Sequence, residues 1–258
     1  MNLLSKSFTL KLKAFQKAIS SKVQTRYCNK TGFLFQMVGN SRVYLRNHTE
    51  YLSEKSLHKL CTRYYYQHYM PKENDVVVCV GAGLGHEAIW LANKANDIRY
   101  IGIEVQPYLY ELLSNTFNQK DTYTACNLAI NANHESLFLN SAINYTAVST
   151  SERGYIEVQS IDWPTFLSKY QIQEVDLLQI NIEGGEKFLL PMIADYSNIK
   201  RIIISAHDFR ADRGDGEQFR TREFVKDFLT RAGYKVSHCG AKPRQMDWMF
   251  AEKLTDLQ

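Results

Sequence analysis

VVVCVGAGLGHEAIWLA, residues 76–92, runs from an unbroken apolar stretch through Gly81, Gly83 and Gly85 straight into a helical pattern. Apolar residues without alternation fit a strand buried on both faces, as in a parallel sheet. Glycines directly after such a strand let the chain turn sharply and let the backbone approach a ligand lying across the strand end. The GxGxG spacing differs from the GxGxxG of dinucleotide folds and suits a ligand that lacks a pyrophosphate. Alone, a glycine triplet also occurs in tight turns that bind nothing. Its partner is Glu104, which ends the next strand 19 residues after Gly85. A carboxylate there can accept hydrogen bonds from both hydroxyls of a ribose, or it can cap the helix opened by Pro107.

The same alternation extends along the chain. DVVVCV, RYIGIEV and YTACNLAI read as strands, and HEAIWLANKA and PYLYELLSNTF as the helices between them, a βαβαβ order that implies a parallel sheet with helices on its faces. LFLN and YIEVQSID form an added strand pair before the helix WPTFLSKY. DLLQINI and RIIISAH resume the buried strands, TREFVKDFLTRAGY is a helix, and YKVSHC with DWMFAEK closes the sheet as an antiparallel pair. Upstream, GFLFQMVGNSRVYLR alternates around Gly39-Asn40 as a hairpin and precedes a helix over residues 53–69. The chain thus divides into an N-terminal helical and hairpin extension, residues 1–70, and an α/β domain, residues 71–258.

Composition agrees with a globular chain: 258 residues, 45% hydrophobic and 22% charged, can bury a full core. No stretch reaches the ~18–20 apolar residues needed to span a bilayer, and a secretory signal is not evident at the N-terminus. Five scattered cysteines without CxxC spacing argue against a disulfide framework and a zinc site, so a reducing cytoplasm is the expected location. The net charge of +4 is uneven. Residues 1–49 carry nine Lys and Arg and no acid, leaving 22 basic and 27 acidic residues, a net of −5, for the rest. Leu4, Phe8, Leu12, Phe15, Ile19 and Val23 recur at helical spacing, with Lys6, Lys13 and Lys17 on the far side. Such a helix packs on the domain with a solvated back, or presents lysines to an acidic substrate, a leader peptide or a membrane. Without an arginine cluster or aromatic-interleaved basic motif, no nucleic-acid partner is expected; a homo-oligomer remains open.

DVVVCVGAGLGHE, YIGIEVQPYLYELLSNTF, NLAINANHESLFLN, VQSIDWPTFLSKY, VDLLQINIEGGEKFLL and IIISAHDFRADRGDGEQFRTREFV occur in an order and spacing that resembles the FkbM family of class I S-adenosylmethionine-dependent methyltransferases. The resemblance covers about residues 71–250, and its most specific element is the segment ending in IEGGE. It implies a Rossmann-like, seven-stranded, mostly parallel sheet with an antiparallel last strand, and S-adenosyl-L-methionine as cofactor. It points to Gly81, Ala82, Gly83, Gly85, Glu104 and Val105 for the donor's amino-acid and ribose moieties, and to Asn127, Leu128 and Ala129 for its adenine. The family's members are mostly O-methyltransferases of sugars and natural products, and related enzymes methylate nitrogen. The chain departs from the family's pattern where Cys79 and Asn181 stand in place of Asp, which keeps a non-catalytic binding protein on the same fold as an alternative.

The chemistry is expected at the ends of the fourth and fifth strands. Methyl transfer from a sulfonium is an in-line displacement, and an acceptor hydroxyl benefits from a base. Asn181, Glu183 and His207 are the candidate catalytic residues: His207 takes the proton near neutral pH and Glu183 orients it or binds the acceptor. Gly184 and Gly185 leave room for substrate. The alternatives are a strand-end histidine bonded to backbone and a carboxylate capping the helix that begins at Glu186. Glu183, His207, Asp208 and the loop RADRGDGE could hold magnesium or manganese, but their spacing has no signature, and no metal is expected. The loop, with Arg210, Asp212, Arg213, Asp215 and Glu217, reads more simply as a solvated lid of mixed charge. Because residues 71–250 carry the donor site, the first 49 are expected to serve a small-molecule or peptide acceptor instead.

Overall fold

A computed structural model of the chain describes residues 25–132, 136–139, 156–193 and 195–254. The amphipathic helix expected over residues 4–23 lies outside them. The first described elements are β1 (Arg26–Tyr27) and the hairpin β2 (Leu34–Val38) and β3 (Ser41–Leu45), followed by α1 (Glu54–Leu60), which widens into a π-helical turn over Cys61–Tyr65. Then come β4 (Val76–Val80), α2 (His86–Ala92), β5 (Arg99–Ile103), α3 (Pro107–Phe117), β6 (Tyr123–Cys126), β7 (Ala129–Ile130), β8 (Leu137–Leu139), β9 (Ile156–Val158) and β10 (Ser160–Ile161). The chain continues through α4 (Trp163–Lys169), β11 (Leu177–Ile180), α5 (Glu186–Met192), β12 (Arg201–Ser205), α6 (Asp208–Asp212), α7 (Arg222–Arg231), β13 (Tyr234–His238), α8 (Pro243–Met246) and β14 (Trp248–Lys253).

Seven strands form one sheet in the order β13-β14-β12-β11-β4-β5-β6. β4, β5, β6, β11 and β12 are parallel, and β14 pairs antiparallel with both β12 and β13. The apolar run of β4 is explained by its two faces. Val77 and Cys79 enter one core with α1 and α2, whereas Val78 and Val80 enter the other with Trp163, Phe166 and Leu190. A central strand with helices on both sides has no solvent face to carry polar residues.

Chain order reverses at β4, because β5 leaves to one side and β11 lies on the other. In open α/β sheets the crevice at the carboxyl ends beside such a switch point is where ligands bind. The strand expected over YTACNLAI is broken at Asn127. β6 ends at Cys126, and β7 leaves the main sheet to pair in parallel with β10. β8 and β9 form the expected added antiparallel pair.

The hairpin turns at Gly39-Asn40, with Val38 opposite Ser41. Gly39 is needed twice: its φ is +57°, and a Cβ there would fall 2.5 Å from Asn93 Oδ1. The extension is not a separate unit in packing terms, since Leu34, Val43, Leu45 and Leu57 share a core with Val77, Ala88 and Leu91. Buried Gln36 ties it down. Its amide exchanges two hydrogen bonds of 2.9 Å with the Leu52 backbone, and its Oε1 lies 3.3 Å from His86 Nε2. Gln36→Ala is expected to destabilise the fold by about 1–3 kcal/mol in urea denaturation, because it strands the Leu52 N–H and C=O.

Candidate active site

A cavity of about 1060 Å³ opens at the carboxyl ends of β4, β5 and β11. Its glycine turn is built by packing. The Gly81 and Ala82 amides donate to Ile103 O at 2.9 and 3.0 Å, and all three glycines have positive φ. They are not equivalent. A Cβ at Gly81 would lie 2.2 Å from the Asn181 carbonyl oxygen, and one at Gly85 would meet Phe117 at 2.6 Å, whereas a Cβ at Gly83 would meet nothing within 4 Å. Gly81 and Gly85 let the strands and α3 close together; Gly83 leaves open space in the cavity wall, the cradle a close-lying ligand requires.

Glu104 directly follows β5 beside this turn, nearly buried, with its Oε2 accepting from Gly83 N–H at 3.0 Å and Oε1 from Gln106 N–H at 2.9 Å. Burial raises its pKa despite these bonds. The carboxylate therefore shapes the turn, and each oxygen keeps a lone pair for a ligand hydroxyl. Val105 and Ala129 also line the cavity. Asn127 and Leu128 do not. The Asn127 amide donates to the backbone oxygens of Glu104 and Val105 at 2.8 and 3.1 Å, and Leu128 is buried in the core with Trp163 and Phe166. The break between β6 and β7 restarts the alternation of side chains, which is why the expected adenine contacts are displaced. A residue not foreseen from sequence is Gln106. It is buried, it lines the cavity, and its Nε2 has no hydrogen-bond partner among the described residues. A buried unpaired donor in a cavity wall is costly unless a ligand accepts from it. Gly83, Glu104 and Gln106 together fit a nucleoside.

The other side of the switch point carries a chain of charges. His207, 2% exposed, has Nδ1 2.7 Å from Glu186 Oε1 and Nε2 3.6 Å from Glu183 Oε2. Burial disfavours the charged ring, but hydrogen bonds and charge from Glu183 and Glu186 outweigh it and raise its pKa to about 9. Lying between two carboxylates, the His207 ring favours its imidazolium form at neutral pH. Glu186, fully buried at the start of α5, was not foreseen as a site residue. Burial would raise the Glu183 carboxyl, but His207 and Arg210 more than reverse this and hold it below its ordinary value.

Arg210 Nη1 lies 3.1 Å from Glu183 Oε2, its Nε donates to Asp215 Oδ2 at 2.8 Å, and its guanidinium lies over the Phe219 ring at 3.8 Å. The loop is solvated as expected at Asp212, Arg213, Asp215 and Glu217, but it wraps around Arg210, which is nearly buried. Asp208 is occupied as well, accepting from the Thr221 and Arg222 amides at 2.8 Å and so capping α7. Gly184, with φ +98°, makes room for Phe219 rather than for substrate, since a Cβ there would lie 2.8 Å from the ring. Asn181 lines the cavity and donates through Nδ2 to Tyr65 Oη at 3.3 Å. Arg46 and Thr49 line the same cavity, so the extension contributes to its wall.

The sheet order, the switch-point cavity and the open glycine cradle beside an acidic strand end define a class I methyltransferase. The chain belongs to the methyltransferase FkbM domain family, whose model matches residues 76–236, well over half its length. It is an S-adenosyl-L-methionine-dependent methyltransferase. No curated protein sequence matches the chain. Similar solved structures include precorrin-6y C5,15-methyltransferase from Geobacter metallireducens, 12% identical over 85% of this chain and 94% of that one, with a TM-score of 0.47. The fibrillarin pre-rRNA processing protein of Methanococcus jannaschii is 14% identical over 84% and 80%, with a TM-score of 0.47. An O-methyltransferase from Bacillus cereus in complex with SAH is 7% identical over 95% and 91%, with a TM-score of 0.46. Among the described residues no helix is long and apolar enough to cross a membrane.

Two outcomes test this geometry. Gly83→Val is expected to abolish S-adenosylhomocysteine binding in calorimetry while costing only about 1–2 kcal/mol of stability, the strain of a branched residue at φ +54°. The His207 imidazolium stabilises the fold fully below pH 6.5, and this contribution is lost as pH rises through about 9. Denaturation at pH 6 and pH 9.5 should accordingly show a loss of ~2–3 kcal/mol that His207→Gln lacks.

Proposed function

We propose that the enzyme methylates a hydroxyl group of a sugar or natural product, with Glu183 as the group that receives the hydroxyl proton. The observation that carries this reading is the state of Glu183. Its carboxylate lines the cavity, is held ionised by His207 and Arg210, and sits on a backbone with φ +54°, a conformation a non-glycine residue adopts only at a cost. When bound, S-adenosyl-L-methionine supplies a methyl group on a positively charged sulfur that departs as a neutral thioether. A hydroxyl becomes strongly acidic as its oxygen is alkylated. A carboxylate of low basicity is therefore sufficient to take the proton during transfer, provided it is already placed and desolvated. His207 and Arg210 keep Glu183 deprotonated and fixed. Asn181, hydrogen-bonded to Tyr65, would orient the acceptor from the neighbouring side of the strand end.

The acceptor's other contacts are apolar. Phe188, 68% exposed, lies with Leu189, Met192 and Phe219 along the cavity beside Glu183. Such a surface suits an acceptor that offers a hydrophobic face next to its hydroxyl. With a panel of hydroxylated acceptors, Glu183→Gln should lower kcat by on the order of 10² while leaving S-adenosylhomocysteine affinity unchanged. Phe188→Ala should raise acceptor KM with little effect on kcat. Wild-type kcat in Glu183→Gln, or methylation confined to amide nitrogens, refutes the proposal.

A further inference from the structure

Five carboxylates line the cavity: Glu50, Glu87, Glu104, Glu183 and Asp215. Four have partners. Glu50 pairs with Arg46 at 2.9 Å, Glu104 accepts two backbone amides, Glu183 is held by Arg210 and His207, and Asp215 lies 2.8 Å from Arg210 Nε. Glu87, in the first turn of α2 directly after the glycine turn, is 7% exposed and has no cationic partner among the described residues. The neighbouring polar groups offer no charge. Cys61, Tyr65 and Tyr66 come from the end of α1, Cys79 from β4, Tyr100 from β5 and Tyr123 from β6, and burial raises the pKa of each, so all are neutral. His86 is neutral too, pushed down to about 4 by burial. The Tyr100 hydroxyl donates to Gln179 Oε1 at 2.6 Å, and the Tyr66 hydroxyl to the Glu87 backbone oxygen at 3.2 Å.

An uncompensated carboxylate inside an aromatic and thiol-lined recess is expensive unless a cation meets it. Both arginines of the cavity are already committed to other acids. Without a cation the carboxyl takes up a proton more readily, its pKa pushed up to about 7 by burial against hydrogen bonds from the backbone and from Tyr100, and a cation brought by a ligand would hold it ionised. The methyl donor brings two positive groups, a sulfonium and the α-ammonium of its amino-acid moiety. Only the ammonium has N–H groups to donate to a carboxylate, and Glu87 lines the same cavity as Gly81, in the first turn of the helix that follows the glycine turn over which an amino-acid moiety is expected to lie. We propose that Glu87 holds the α-ammonium of S-adenosylmethionine, as a positioning residue for the donor. This rests on the donor's identity and is independent of the acceptor chosen above.

Three ligands separate the possibilities in calorimetry: S-adenosylmethionine, which has both cations; S-adenosylhomocysteine, which has the ammonium alone; and methylthioadenosine, which has neither. In Glu87→Gln, with thermal stability checked to remain near wild type, the first two should bind tenfold or more weakly and methylthioadenosine as before. Wild-type protein provides a test that needs no variant. Burial raises free Glu87 to about 7, so lowering the pH from 8 to 6 protonates it and should weaken S-adenosylhomocysteine binding about tenfold relative to methylthioadenosine. Comparing the two ligands cancels any contribution from Glu104, which serves the nucleoside they share. Unchanged S-adenosylhomocysteine affinity in the variant overturns the proposal, as does equal weakening of all three ligands. A loss confined to S-adenosylmethionine would assign Glu87 to the sulfonium and overturn the ammonium role. A wild type that binds none of the three would instead contradict the donor itself.

Discussion

The architecture depends on how closely β4 and β11 approach at their carboxyl ends. At Gly81 the space for a side chain is taken by the Asn181 carbonyl, so the two parallel strands stay hydrogen-bonded to the last residue before their loops diverge. From that point one chain turns over β5 and the other towards β12, and the cavity is the gap between them. A side chain at position 81 would wedge the strands apart and close the cavity from within, because a packed interior has no spare volume to absorb it.

Around this constraint the protein divides its polar groups by strand. Glu104 after β5 is satisfied by backbone amides and Glu183 after β11 by cations, while Glu87 in α2 has no cationic partner among the described residues. Three carboxylates lining one cavity are in distinct states because their surroundings differ. Burial lifts Glu104 and Glu87, and the neighbouring imidazolium and guanidinium depress Glu183.

Much of the fold was legible in the sequence because its signals are local. Unbroken apolar runs marked β4 and β12, the largely apolar DLLQINI marked β11, Gly39-Asn40 marked the hairpin, and the paired YKVSHC and DWMFAEK segments marked the antiparallel edge. The glycine turn and Glu104 were legible for the same reason. The rest depended on tertiary packing. The charge of His207 is set by Glu183 and Glu186 together, and Glu186 becomes fully buried only when α5 packs onto the sheet. Leu128 faces the core because the strand breaks one residue earlier, and Arg210 is enclosed only by the folding of its own loop around it. Gln106 looks like an ordinary residue before a helix-opening proline, and its missing hydrogen-bond partner is visible only once the neighbours are placed.

The arrangement of the N-terminal hairpin carries a consequence for how the protein handles its ligand. Gln36 grips the backbone at Leu52 and touches His86, and Leu52, Arg46 and Thr49 line the cavity that holds the glycine turn. Part of the cavity wall is therefore made by a segment distant in sequence that shares an apolar core with Val77, Ala88 and Leu91. A change in the hairpin is transmitted through that core as well as to the cavity, because a packed interior has no spare volume to absorb it. The shape of the ligand cavity and the stability of the sheet are thus linked through residues that lie far from the glycine turn in sequence.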